Sequence, residues 1–234
     1  EHYKTIKRKN GEWKKIETLC NLWTTSFFTS HTSKNKDNKY LITNDEFFRF
    51  INGEQIANSY IANADSLAGE FRFFHWEIEF PEVFKKKGFD LLIGNPPWEK
   101  IKLQEKEFFA TRDESIRNAK NKAERIKLIS DLKTSNPLLF NLFKKEKFYS
   151  EAQSRFIRQS GKYELSAKGD INLYAVFSEL FLKIINPKGA FGIIVPTGIA
   201  TDDTTKDYIQ YLVENDKVKS FYDFSNSDSI FPSV

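Results

Sequence analysis

Gly88-Phe89-Asp90-Leu91-Leu92-Ile93-Gly94-Asn95-Pro96-Pro97-Trp98 is the stretch around which the rest of the chain can be arranged. Leu91-Leu92-Ile93 is an uninterrupted apolar run bounded by Asp90 and Gly94, and predicts a short strand buried on both faces. Pro96 and Pro97 cannot donate to a ladder, so the strand must stop before them. The loop that follows presents a carboxamide, a backbone carbonyl and an indole at the carboxyl end of a strand, where open α/β sheets hold their ligands. The Asn95 amide oxygen and the Pro96 carbonyl can together accept both hydrogens of an exocyclic amino group. Trp98 adds a flat face for a heterocycle, worth about 1–3 kcal/mol per base. The same residues also fit a plain strand-ending turn, with Trp98 in the core and Asn95 capping the backbone. Spacing alone leaves both readings open.

Asn95-Pro96-Pro97-Trp98 resembles the Asn-Pro-Pro-aromatic motif of S-adenosylmethionine-dependent amino-group methyltransferases, above all the DNA adenine-N6 class. Protein-glutamine methyltransferases carry a close relative of it. The setting resembles the large bacterial type II restriction-modification and defence-system methylases. In those, the motif lies between a Phe-His-Trp...Phe-Pro-Glu-Val-Phe stretch and a long helical insertion. Here the first of these reads Phe74-His75-Trp76-Glu77-Ile78-Glu79-Phe80-Pro81-Glu82-Val83-Phe84. The resemblance implies an α/β fold, a partial Rossmann-like methyltransferase with a helical insertion after the catalytic loop. It implies S-adenosyl-L-methionine as methyl donor, and double-stranded DNA with a flipped adenine as substrate. The catalytic residues it assigns are Asn95, Pro96, Pro97 and Trp98, with Trp98 also binding the base. A Phe-Pro opens a later loop in related adenine methylases, which makes Phe231, before Pro232, a candidate second stacking face. A strand-terminal core Phe is the other reading of that residue.

Composition narrows the alternatives. Aromatics make up 15% of the 234 residues, which favours a packed interior over disorder. A net charge of +4 permits nucleic-acid binding without requiring it. The single cysteine, Cys20, leaves no internal disulfide or cysteine metal cluster and suits a reducing, cytoplasmic setting. No apolar run approaches the ~20 residues of a membrane span, and no metal site is expected. There is no methionine, so the sequence reads as a piece of a longer chain. None of the 10 glycines forms a Gly-x-Gly turn between a strand and a helix. By resemblance the main cofactor site is therefore expected upstream of residue 1, and a target-recognition segment downstream of residue 234.

Taken in order, residues 1–70 read as a mainly helical segment with a basic start at Lys7-Arg8-Lys9. Leu19, Leu22, Trp23, Phe27 and Phe28 form an apolar stripe, and Thr43-Asn44-Asp45-Glu46 marks a helix start. Residues 71–98 and 169–234 read as the methyltransferase core. His75 is expected to be structural, and Ile78, Phe80 and Val83 alternate like a half-exposed strand. Residues 99–168 read as the helical insertion. It holds one long amphipathic pattern from Ile116 to Leu132, and a second through Leu138, Leu139, Leu142 and Phe143 after a break at Asn136-Pro137. Lys144-Lys145, Arg155 and Arg158 are its candidate phosphate contacts.

The core resumes with Asp170 as a helix N-cap, a helix from Leu173 to Ile185 stopped at Asn186-Pro187-Lys188-Gly189, and a buried strand over 190–196. A helix over 202–214 and a strand over 218–224 follow. Alternating strands and helices predict a parallel sheet. The chain thus reads as the catalytic-loop half of a DNA adenine-N6 methyltransferase, folded but inactive by itself. Set against this are a protein-glutamine N-methyltransferase and a non-catalytic DNA-binding or assembly fragment.

Overall fold

The computed structural model describes residues 11–29 and 40–225. The basic start at Lys7-Arg8-Lys9, the polar stretch 30–39 and Phe231 lie outside them.

Helix α1 (Gly11–Phe28) buries Leu22 and Phe28. Its Trp23 and Phe27 meet Phe156 edge-on at 6.1 and 5.5 Å. Helix α2 (Asn44–Ile51) starts at the expected place, closed by a capping box in which Thr43 and Glu46 satisfy each other's backbone N–H. Helix α3 (Asn58–Phe71) follows and packs on α1. The stretch expected as a half-exposed strand is instead two short helical turns, α4 (Trp76–Glu79) and α5 (Pro81–Lys85). Pro81 supplies the preset φ of a first helical position, and the apolar side chains find one another through helical turns. Trp76, Phe80 and Phe84 all lie within 6.0 Å of the Phe89 ring that opens the next strand.

Strand β1 (Phe89–Gly94) pairs in parallel with β2 (Ile185–Ile193), the one sheet among the described residues. Leu91 faces Ala190, Leu92 faces Phe191 and Gly94 faces Ile193. Asn186-Pro187-Lys188-Gly189 does not merely end the preceding helix; it forms a bulge inside the pairing. Phe89 is opposite Ile185 while Leu91 is opposite Ala190. Asn186 closes the bulge: its Nδ2 donates to Asp90 at 2.5 Å and its Oδ1 accepts from the Lys188 N–H at 2.8 Å. Two glycines make this close approach possible. A Cβ on Gly189 would lie 2.7 Å from the Phe89 carbonyl oxygen, and one on Gly88, at φ +122°, would lie 2.4 Å from that of Ile184.

Between the strands lie α6 (Glu105–Phe109), α7 (Glu114–Arg117), α8 (Lys122–Ser135), α9 (Pro137–Gln159) and α10 (Leu173–Ile184). The pattern from Ile116 to Leu132 is therefore split, because Asn121 caps a fresh helix by accepting from the Glu124 N–H at 2.9 Å. The break at Asn136-Pro137 is present, with Asn136 capping α9 through the Leu139 N–H at 3.1 Å. Phe108, Phe109, Ile116, Ile129, Leu132 and Phe143 close a core of their own. Helix α10 begins at Leu173, not at Asp170, whose carboxylate lies 4.0 and 3.9 Å from the ammoniums of Lys100 and Lys102.

One face of the sheet is covered and the other is not. Phe181 of α10 reaches Gly94, at 3.3 Å from where a Cβ would sit, and lies 6.1 Å from the Phe191 ring. Leu91 and Ile93, pointing the opposite way, are 60% and 78% exposed. The expected burial of this strand on both faces is thus corrected: no described element packs over Leu91 and Ile93. After β2 come α11 (Gly198–Thr201), a 3₁₀ turn (Asp203–Thr205) and α12 (Lys206–Glu214). Residues 218–224 form no strand, and Phe221, Tyr222 and Phe224 are exposed, so the third parallel strand expected there is absent among the described residues. The observed architecture is α/β, helix-rich, on a small parallel sheet.

Candidate functional site

The loop 95–98 leaves β1 beside the segment that leaves β2, because parallel pairing brings both carboxyl ends to one side. The pairing continues one residue past the sheet, with the Ile194 N–H donating to the Gly94 carbonyl at 3.1 Å. Asn95 and Pro97 are exposed, Pro96 is buried and Trp98 is half-buried. Trp98 spans the two exits: its Nε1–H donates to the Ile194 carbonyl at 3.3 Å. Its ring packs on the cluster of Tyr174, Ala175, Ile199, Tyr208 and Leu212. Trp98 is therefore both a partial core residue and a wall of the site, so the two sequence readings of it do not exclude each other.

The far end of the loop is held as firmly. Leu173 N–H donates to the Glu99 carbonyl at 2.9 Å and Ile101 N–H to the Ile171 carbonyl at 3.0 Å, framing a short antiparallel bridge between Lys100 and Asn172. That bridge follows residues 160–170, a strap braced from both sides. Glu179, fully buried on α10, accepts from Ser166 N–H and Oγ–H at 2.9 and 2.7 Å, and its charge is met by the Lys183 ammonium at 2.9 Å. Arg158 donates to the carbonyls of Ala167 and Gly169. With both ends tied, the prolines leave the loop little backbone freedom.

Asn95 behaves differently from its neighbours. Its exposed carboxamide makes no hydrogen bond among the described residues, and the Pro96 carbonyl accepts none either. The capping role that spacing allowed for Asn95 is not taken up, so two acceptors stand free beside a pinned indole. A second polar chain runs from the cluster that the indole packs on: Asn172 Nδ2 donates to the Tyr174 hydroxyl, which donates to Asp202 Oδ2, each at 3.4 Å. Burial, with Asp202 close by, raises the pKa of the Tyr174 phenol, keeping it a neutral donor. Thr197 Oγ–H donates to Asp223 at 3.2 Å, drawing the chain after α12 toward the same exit. The sequence carried no warning of the Ile194 carbonyl, Tyr174 or Asp202. Only the Pro196 that ends the second strand, mirroring Pro96, hinted that two exits would meet.

Other sequence candidates fall elsewhere. His75 is half-buried with its Nε2 2.8 Å from Asn21 Oδ1, and burial lowers its pKa, as suits a structural neutral histidine. Arg155 and Arg158 are engaged by backbone carbonyls. The first donates to the carbonyls of Phe27 and Thr29 at 2.7 and 3.3 Å, and the second holds the strap. Lys145 pairs with Glu70 at 2.9 Å. Two hollows, of about 500 and 250 Å³, are lined by α1, α2 and neighbouring residues, and neither includes any residue of the loop. Among the described residues no group of three His, Cys, Asp or Glu side chains could hold a metal, and no helix is long and apolar enough to cross a membrane.

The model of one protein family, described as Eco57I restriction-modification methylase, matches residues 6–143 and 144–231, almost the whole chain. No curated protein and no solved structure matches it.

Proposed function

The chain belongs to the Eco57I restriction-modification methylase family, and from that premise we propose that it forms the substrate side of an adenine-N6 DNA methyltransferase. The membership itself points to methylation of DNA; the base, the atom and the methyl donor are the proposal. One observation carries it: an exposed carboxamide and a free carbonyl, Asn95 and Pro96, stand beside a half-buried indole where two parallel strands end.

The chemistry follows from those groups. An adenine that has left the duplex, at a cost of a few kcal/mol, stacks its ring on Trp98. Asn95 Oδ1 and the Pro96 carbonyl accept its two N6 hydrogens, which draws the nitrogen lone pair out of conjugation with the ring and toward an electrophile; on methyl transfer the donor's sulfonium would leave as a neutral thioether and one N6 proton would pass to solvent. No covalent intermediate on the protein is required, so positioning carries the rate. The pinning of Trp98 to the Ile194 carbonyl and of the loop exit to Asn172 keeps these groups from shifting as the base arrives. Phe231, outside the described residues, is proposed as the second stacking face.

S-adenosylmethionine would supply the methyl group. Neither of the two hollows on the α1 side reaches the loop, and no strand–helix junction among the described residues carries a glycine-rich turn. In this proposal a segment outside the described residues holds the donor. The domain division also stands as a proposal, with residues 99–168 as an insertion into a methyltransferase core.

Asn95→Ala in the full-length protein is expected to reduce methyl transfer to duplex DNA by about a hundredfold or more while leaving most DNA affinity in place. Normal turnover in that variant would overturn the role of Asn95. Transfer to a glutamine-bearing protein in place of DNA would overturn the substrate.

A further inference from the structure

Most cations between β1 and α10 are already engaged. Lys100 and Lys102 face Asp170, Arg117 faces Glu114, Arg125 faces Glu105 at 2.8 Å, Lys145 faces Glu70 and Lys168 faces Asp207. Arg112 donates to the Phe108 carbonyl at 2.6 Å and lies over the Phe108 ring. Arg155 and Arg158 are spent on carbonyls.

Among the lysines of this segment that make no ion pair among the described residues, Lys133 and Lys144 stand out by sharing one aromatic ring. One sits in the last turn of α8 and the other early in α9, and both ammoniums lie over the same ring, Phe140, at 5.6 and 5.9 Å from its centroid. They are therefore within about 12 Å of each other, and neither has a carboxylate at ion-pair distance among the described residues. Phe140 packs in turn on the closed core of Phe108, Phe109, Ile116, Ile129, Leu132 and Phe143, which makes it a fixed platform. A cation–π contact at an exposed site is worth about 0.5–1 kcal/mol, enough to bias two flexible side chains toward one place without neutralising them. Two like charges are thus drawn together where a carboxylate partner would ordinarily be found.

We propose that Lys133 and Lys144, converging on Phe140, form a contact for the DNA phosphate backbone outside the catalytic loop. The inference rests on the DNA-methyltransferase reading above and adds where the duplex is gripped. One strand of DNA carries a charge every ~3.4 Å of axis, so two ammoniums no more than about 12 Å apart fall within the span of a few successive phosphates of one strand. Such a contact fixes position and salt dependence and reads no sequence.

The test is the salt dependence of duplex binding by the full-length protein, with Lys133→Gln/Lys144→Gln set against Lys145→Gln. Each lost phosphate contact removes about 0.9 from the slope of log affinity against log salt. The double variant should therefore lose about 1.8 from the slope. Lys145→Gln, whose ammonium already faces Glu70, should leave the slope as it is. Thermal melting of each variant separates a lost contact from a lost fold, since both substitutions are on exposed side chains of a retained core. An unchanged slope in the folded double variant overturns the contact while leaving the methyltransferase reading intact. An equal loss in Lys145→Gln also overturns it, because the effect would then be general to surface charge. If the wild-type protein has no salt-dependent affinity for duplex DNA at all, the contact and the reading beneath it fall together.

Discussion

The helices between the two strands and the strands themselves are stabilised in opposite ways. The helical segment closes on itself: Phe109 is fully buried, Ile116 nearly so, and Phe108 and Phe143 pack on Phe109 with ring centroids 4.8 and 5.2 Å away. The strands are closed on one side only, where Phe181 of α10 lies against Gly94 and Phe191. On the other side Leu91, Ile93 and Ile194 are exposed, next to the proposed site. A helix bundle can bury its apolar stripe with a few neighbours close in sequence, whereas a parallel sheet needs distant elements on both faces. The difference teaches that the site loop is held by hydrogen bonds and by α10 more than by a two-sided core.

Three substitutions would break or sharpen that contrast. Phe109→Ala should have the largest effect, about 3–5 kcal/mol, because it empties the centre of a closed core. A fall in melting temperature on the order of 10 °C would register it. A small shift would mean that the helical segment is looser than its packing indicates. Asn186→Ala should cost less, about 1–3 kcal/mol, by leaving Asp90 and the Lys188 N–H without the partner that closes the bulge. Urea midpoints would measure it, and a null result would show that backbone pairing alone holds the register. Ile93→Ser should be nearly silent, within about 0.5 kcal/mol, while reducing binding of a hydrophobic dye. A loss of several degrees in that variant would show the face to be covered in solution.

Much of this was legible in the sequence where the cause is local. Thr43-Asn44-Asp45-Glu46 announced its helix start, Asn136-Pro137 its break, and Leu91-Leu92-Ile93 a strand that two prolines end. Local patterns misled where a distant partner decided the outcome. Ile78, Phe80 and Val83 alternate like a strand but turn helically around Phe89. Arg155 and Arg158 look like free cations until the carbonyls of Phe27, Thr29, Ala167 and Gly169 claim them.

For the loop itself, the sequence by itself determined its chemistry: two acceptors and an indole after a strand, on a backbone two prolines make stiff. Only the tertiary structure decided which groups stayed available. Parallel pairing of β1 with β2, almost a hundred residues away, set the Ile194 carbonyl against the Trp98 indole. The bridge to Asn172 anchored the exit, and the Asn95 carboxamide has no partner among the described residues. The physical reason is that a side chain's chemistry belongs to its residue type, while its freedom depends on every hydrogen-bonding group the fold brings within reach.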